Sequence, residues 1–179
     1  MDPAASGPAI HYYMIRGGAD KRNITVWDCG TAGNEYIKAY GHYHIDNLDE
    51  TYTILAGEGI LIIQERAKGA SGAGKAGALI DDEIVSFKAL RVRAGDSILI
   101  PPRSGHSLVN TGNTWLVTSD DSPFTTDDLA GMPKHADYEP VKKLHGMAYY
   151  VIEKDGQPTL VKNPAYASVP KAEITDFKA

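Results

Sequence analysis

The sequence predicts an all-β fold, a compact barrel or sandwich of short antiparallel strands. Three observations lead there. Short runs rich in Val, Ile, Thr and Tyr recur along the chain, each bounded by Gly, Pro, Asn or Asp. Only Thr125–Leu129 and Tyr138–Leu144 read as helical, and both are single short turns, too brief for an α/β fold. A length of 179 residues supports one core. The expectation is a single domain over 1–179, with a barrel core at about 23–119, an N-terminal strand arm, and a C-terminal hairpin and arm.

The strands follow in order. Ile10–Ile15 is β-rich and suits an arm that pairs with a second copy of the chain, since small barrels leave an edge to be covered. Asn23–Cys29 and Glu35–His44 come next, then Glu50–Leu55 and Gly59–Glu65. Ala67–Leu79 is almost entirely Ala, Gly, Ser and Lys; with nothing to bury, it should be a flexible hairpin loop. Its Gly-x-Gly pieces and Lys75 do not make a phosphate loop, because the GxxxxGK[ST] spacing is absent and no helix follows. Glu83–Val92, Ser97–Ile100, Ser107–Val109 and Trp115–Ser119 continue the series. Met147–Glu153 and Thr159–Lys162 are joined through Asp155-Gly156, a tight-turn pair. Beyond Asn163, Pro164 and Pro170 suggest an extended arm.

Composition excludes several classes. Hydrophobic residues make up 42% and charged residues 23%, which is globular and not disordered. No apolar run reaches the roughly 20 residues of a membrane-spanning helix, and Met1–Ile15 has neither the basic start nor the apolar centre of a secretory signal, so a cytoplasmic location is expected. Cys29 is the single cysteine, which excludes a disulfide framework and a cysteine-based zinc site within one chain. A net charge of -5 argues against nucleic acid or an anionic membrane as main partner, yet leaves room for a small anionic substrate.

The chemistry concentrates in His42-Tyr43-His44. In a strand, residues two apart share a face, so both imidazoles can reach one ion; taken alone, the pair fits an exposed polar face equally well. Glu50 follows the turn-like Asp46-Asn47-Leu48-Asp49 and can return its carboxylate to the same face. Downstream, Gly95-Asp96-Ser97-Ile98-Leu99-Ile100-Pro101-Pro102 leads to Gly105-His106 and Asn110.

The two stretches GHYHIDNLDETYTILAGEG (Gly41–Gly59) and GDSILIPPRSGHSLVN (Gly95–Asn110) resemble the two signature motifs of the cupin superfamily. The resemblance implies a cupin barrel with one metal inside, held by His42, His44, Glu50 and His106, with Asp49 as the alternative carboxylate. Three imidazoles and a carboxylate suit one divalent transition metal, Fe, Mn, Ni or Zn. The likeness narrows to the cupin-type glucose-6-phosphate isomerases. Gly41, His42, His44, Glu50 and Tyr52 match their GHxH…ExY pattern, and Ile100–Pro102, His106, Val109 and Asn110 match their second element. His135-Ala136-Asp137-Tyr138 resembles a further His–Asp–Tyr cluster, and a Gly146–Gly156 tail leads to Val161-Lys162-Asn163-Pro164. Two positions depart. Ala39 stands where the family commonly has a phosphate-holding threonine, and Ser119-Asp120 stands where a tyrosine is expected; Thr25 matches a retained threonine.

The implied function is reversible aldose–ketose isomerisation of a sugar phosphate, glucose 6-phosphate to fructose 6-phosphate, with Glu50, Tyr52, His135 and Tyr138 as candidate catalytic groups. Lys38 and Tyr40 have the strand parity of His42, so Thr25, Lys38, Tyr40 and the Gly41 N–H are the expected substrate contacts. Arg103 is expected at the surface near the barrel mouth, and His11 and His145 are expected to be structural. The chain is expected to form a homodimer. A cupin dioxygenase and a non-enzymatic sugar-binding cupin are the alternatives; polar residues around the cavity favour the phosphosugar.

Overall fold

The computed structural model describes residues 4–18, 22–45, 47–69, 77–123 and 135–178. The expected turn at Thr125–Leu129 and residues 70–76 of the Ala/Gly loop lie outside them. The fold is all-β, as the sequence predicts. One sheet contains β1 (Tyr12–Ile15), β2 (Asn23–Trp27), β11 (Leu116–Asp120), β6 (Glu50–Ala56) and β9 (Ser97–Ile100), in that spatial order. A six-stranded sheet is ordered β12 (Ala136–Asp137), β5 (His42–His44), β10 (Gly105–Asn110), β7 (Glu58–Lys68), β8 (Leu79–Arg93) and β15 (Ile174–Asp176). A smaller sheet joins β14 (Gln157–Lys162), β13 (Tyr149–Lys154), β4 (Glu35–Tyr36) and β3 (Thr31–Ala32). No helix among the described residues is long and apolar enough to cross a membrane.

The two larger sheets face each other across an apolar core. Trp27, Ile54, Ile98, Ile100 and Leu116 come from the first, and Leu61, Ile63, Val92 and Leu108 from the second. Each such side chain contributes about 1.5–3 kcal/mol when fully removed from water. β7 lacks the usual alternation because both its faces are covered. Leu61 and Ile63 enter the barrel core, while Ile60 and Ile62 pack outside it with Val141, Met147 and Val151 from the C-terminal segment. Gln64 closes this outer layer: its amide donates to the Tyr43 and Tyr166 hydroxyls and its Oε1 accepts from the Ala148 N–H.

The N-terminal arm lies against its own chain. β1 pairs antiparallel with β2 of its own chain, from Tyr12↔Trp27 to Ile15↔Ile24, and so forms an edge of the first sheet. The C-terminal arm gains a strand, β15, parallel to β8 through Ile174↔Ala89. The run expected at Glu35–His44 is not one strand: β4 belongs to the small sheet, Lys38 makes an isolated bridge to Val109, and Gly41 turns the chain with φ +83 before β5 begins. The helix expected at Tyr138–Leu144 is α1 (Glu139–Lys143), with Pro140 in its first turn, where a missing N–H costs nothing. Asp155 and Gly156 both take positive φ, the conformation a two-residue hairpin needs.

Gly105 faces Tyr43 across β10 and β5, and a Cβ there would stand 2.5 Å from the tyrosine ring. Gly105→Ala is therefore expected to lower stability by roughly 1–3 kcal/mol, the cost of overpacking a tight core. Urea unfolding measures it, and an unchanged midpoint would contradict this packing.

Candidate metal centre

Three imidazoles rise from adjacent strands of the six-stranded sheet, and one carboxylate meets them from the other sheet. His42 and His44 lie two apart on β5. His106 of β10 is the cross-strand partner of His42. Glu50 opens β6, held there by pairing with Ile100 of β9. The ligand-type atoms of His42, His44, Glu50 and His106 all lie within 4.8 Å of one another. His44 Nε2 and His106 Nε2 are 3.0 and 3.3 Å from Glu50 Oε2, and His42 Nε2 is 3.3 Å from His106 Nε2.

The surroundings orient and neutralise these groups. His44 Nδ1 lies 3.1 Å from the Leu48 carbonyl, a contact that turns its Nε2 toward Glu50. Burial first, then the neighbouring imidazoles, lowers His42 to about 3 and His106 well below its usual value, so both are neutral with lone pairs available. Burial also raises the Glu50 carboxyl to about 7, against the opposing hydrogen bond from His44; the nearby Asp120 carboxylate adds to the rise. Four converging donors, with His42 and His106 held neutral and a carboxylate short of counter-charge, fit a divalent transition metal.

The cavity above the four residues is lined by Thr25, Tyr40, Gly41, Tyr52, His135 and Tyr138, among others. The Tyr52 ring stands edge-on to His106 at 5.3 Å, and the Tyr138 ring lies 5.0 Å from His42. Burial raises both phenols, which keeps them as neutral donors. His135 and Tyr138 flank the two-residue strand β12, which pairs with β5 through Ala136↔His44, and the His135 carbonyl accepts from the Ile45 N–H. Tyr40 sits at the rim, 42% exposed.

Lys38 is placed elsewhere. Its Nζ lies 3.3 Å from Glu35 Oε1, and the residue borders a different surface depression, together with Glu35 and His11. The parity argument assumed an unbroken strand, and the turn at Gly41 resets the alternation. Asp49 is exposed and outside the four-residue cluster. Arg103, His11 and His145 are not among the lining residues. Sequence reasoning missed Arg16, Tyr12 and Met14, and also Asp120 and Ser122, which line the cavity too. The two-residue spacing of Tyr12, Met14 and Arg16 was a readable signal for the first three; nothing local marked the other two.

The family model for glucose-6-phosphate isomerase (GPI) matches residues 13–168. The chain belongs to the glucose-6-phosphate isomerase family. Curated members similar to it include glucose-6-phosphate isomerases of Thermococcus onnurineus (strain NA1), 29% identical over 79% of this chain, and of Pyrococcus abyssi (strain GE5 / Orsay), 29% identical over 80%. The matched regions span 62% and 63% of those relatives' lengths. Among solved structures, the capsular polysaccharide assembling protein CapF from Staphylococcus aureus is similar at 15% identity, over 71% of this chain and 31% of that one, with a TM-score of 0.42. The GPI-family match takes in both histidine motifs, the β12 segment and Arg16.

The Glu50 environment predicts proton-linked metal binding. Because Glu50 is raised to about 7 while His42 sits at about 3, metal uptake by the metal-free protein should displace the Glu50 proton, which is almost fully present at pH 6 and almost absent above pH 8. Apparent affinity should rise with pH through 7 and then level off. Calorimetry in buffers of different ionisation enthalpy measures the release, and a pH-independent value would contradict the assignment.

Proposed function

We propose that the protein is a metal-dependent aldose–ketose isomerase of a sugar phosphate, interconverting glucose 6-phosphate and fructose 6-phosphate. The observation that carries this reading is the convergence of His42, His44, Glu50 and His106 beneath a cavity that Thr25, Tyr52, His135 and Tyr138 also line, in a chain of the GPI family. A divalent transition metal held by these four residues, Fe, Mn, Ni or Zn, would supply Lewis acidity to two adjacent substrate oxygens.

The chain's own groups account for the rest. The reaction moves hydrogen from C2 to C1 and a hydroxyl proton from O2 to O1. The neutral phenols of Tyr52 and Tyr138 and the imidazole of His135 border the cavity and can hold or pass those protons. A hydride shift between C2 and C1 would leave only the hydroxyl proton for them to move. Thr25, Tyr40 and the Gly41 N–H offer donors to the sugar, and Gly41 lets the backbone approach closely. The polar groups of Thr25, Tyr40 and Tyr52 among the lining residues favour a phosphosugar over the small apolar substrates of a dioxygenase.

The test is turnover. Metal-stripped protein reloaded separately with Mn, Fe, Ni or Zn should isomerise glucose 6-phosphate with at least one metal, mannose 6-phosphate serving as comparison. His44→Ala should lose both the metal and nearly all activity. No turnover of any hexose phosphate under any loading would overturn the reading in favour of a dioxygenase or binding protein. The proposal includes a homodimer. Tyr13, Ile15, Leu55 and Leu99 of the first sheet are exposed apolar residues that a second copy would cover. Light scattering at micromolar concentration should return twice the mass of 19.3 kDa, and a monomeric value would contradict it.

A further inference from the structure

Tyr12, Met14 and Arg16 stand two residues apart and line the metal-centre cavity together. Across the strand pair, Tyr12 faces Trp27 and Met14 faces Thr25, and these partners line the same cavity. Arg16 is the only lysine or arginine among the described lining residues. Its guanidinium makes one weak hydrogen bond among the described residues, Nη2 to the Met14 thioether at 3.6 Å, and no ion pair. Its charge nevertheless reaches the centre: it is one of the groups disfavouring the imidazolium of His42, and it favours ionisation of Tyr52 and Tyr138.

The backbone beside Arg16 is anchored. The Gly17 N–H donates to Asn23 Oδ1 at 3.2 Å. Asn23, fully buried, donates through Nδ2 to Asp120 Oδ1 at 2.8 Å and to Ser122 Oγ at 3.0 Å. The segment carrying the guanidinium is thus tied to the carboxylate nearest Glu50, and the cation is positioned before any ligand arrives. A guanidinium lining this cavity with no ion-pair partner among the described residues suits a planar or tetrahedral oxyanion, which it can grip with two parallel N–H donors.

We propose that Arg16 is the anion-holding residue of this cavity, selecting a phosphate monoester over the uncharged sugar, with the Thr25 hydroxyl on the neighbouring strand as its companion donor. The assignment rests on the sugar-phosphate reading above. It gives the phosphate a cation that Lys38, turned to Glu35, does not provide.

The test compares two ligands that differ only in the phosphate. Metal-loaded wild type, Arg16→Gln and Arg16→Lys are titrated calorimetrically with sorbitol 6-phosphate and with sorbitol, and metal content is measured in each. Wild type should prefer the phosphate ester. Arg16→Gln should lose on the order of 10- to 100-fold in affinity for it, with sorbitol binding and metal content unchanged, as expected for loss of a charged hydrogen-bond donor. Arg16→Lys should fall between, because a point charge replaces a fork. Arg16→Met takes the place of Arg16→Gln if that variant does not fold. A wild type that binds both polyols alike, or an undiminished preference in Arg16→Gln, overturns the proposal. So does a loss seen in Lys38→Ala and not in Arg16→Gln. Neither arm needs turnover: selection through Arg16 without isomerisation would overturn only the isomerase reading. Isomerisation of glucose 6-phosphate with an unchanged KM in Arg16→Gln would overturn only the role of Arg16.

Discussion

The backbone of β5 lies against β10 because two positions at their crossing carry no side chain. A Cβ on Gly41 would stand 2.9 Å from the His106 carbonyl oxygen, and one on Gly105 would enter the Tyr43 ring. With both absent, His42 and His106 become cross-strand partners and their Nε2 atoms come to 3.3 Å. The same crossing brings the Tyr43 hydroxyl to the Gln64 amide, whose Oε1 accepts from the Ala148 N–H in the segment leading into β13. The centre and the outer layer behind it therefore share one close contact between strands.

That contact would be of little use if the imidazoles were charged. Burial between two sheets, beside Leu108, holds His42 and His106 neutral and pushes the Glu50 proton affinity up. Two sheets are needed for this. Three donors come from the six-stranded sheet and the carboxylate from its opposite, so the distance between sheets sets the size of the site. On the five-stranded side, Asn23 ties β2 to Asp120 of β11 and to the chain leaving β1, so one buried amide aligns the wall that carries Arg16.

The four-residue cluster was legible because two short motifs, resembling those of the cupins, carry it. His42-Tyr43-His44 needs only strand alternation to place two imidazoles together, and the Pro101–His106 turn delivers a third. Lys38 was misplaced by the same rule applied across a break, where Gly41 takes a left-handed conformation and ends the parity. Arg16 was passed over because the β-rich run ends at Ile15, one residue short of it; the pairing of that run with β2 brings Arg16 to the wall of the cavity. β12 is two residues long and has no propensity signal of its own; it exists because the edge of β5 accepts it.

By itself the sequence determined the all-β class, most strand positions, the hairpin at Asp155-Gly156 and the four residues that converge, since each depends on alternation, turn chemistry or a short motif. Tertiary structure alone decided which residues surround those four. Asp120, Ser122 and Arg16 are separated from His42 along the chain and meet it through sheet order, β1 beside β2 beside β11 beside β6. Sheet order arises from the burial of two faces at once. Such a global balance of apolar surface leaves no mark on any single stretch of residues.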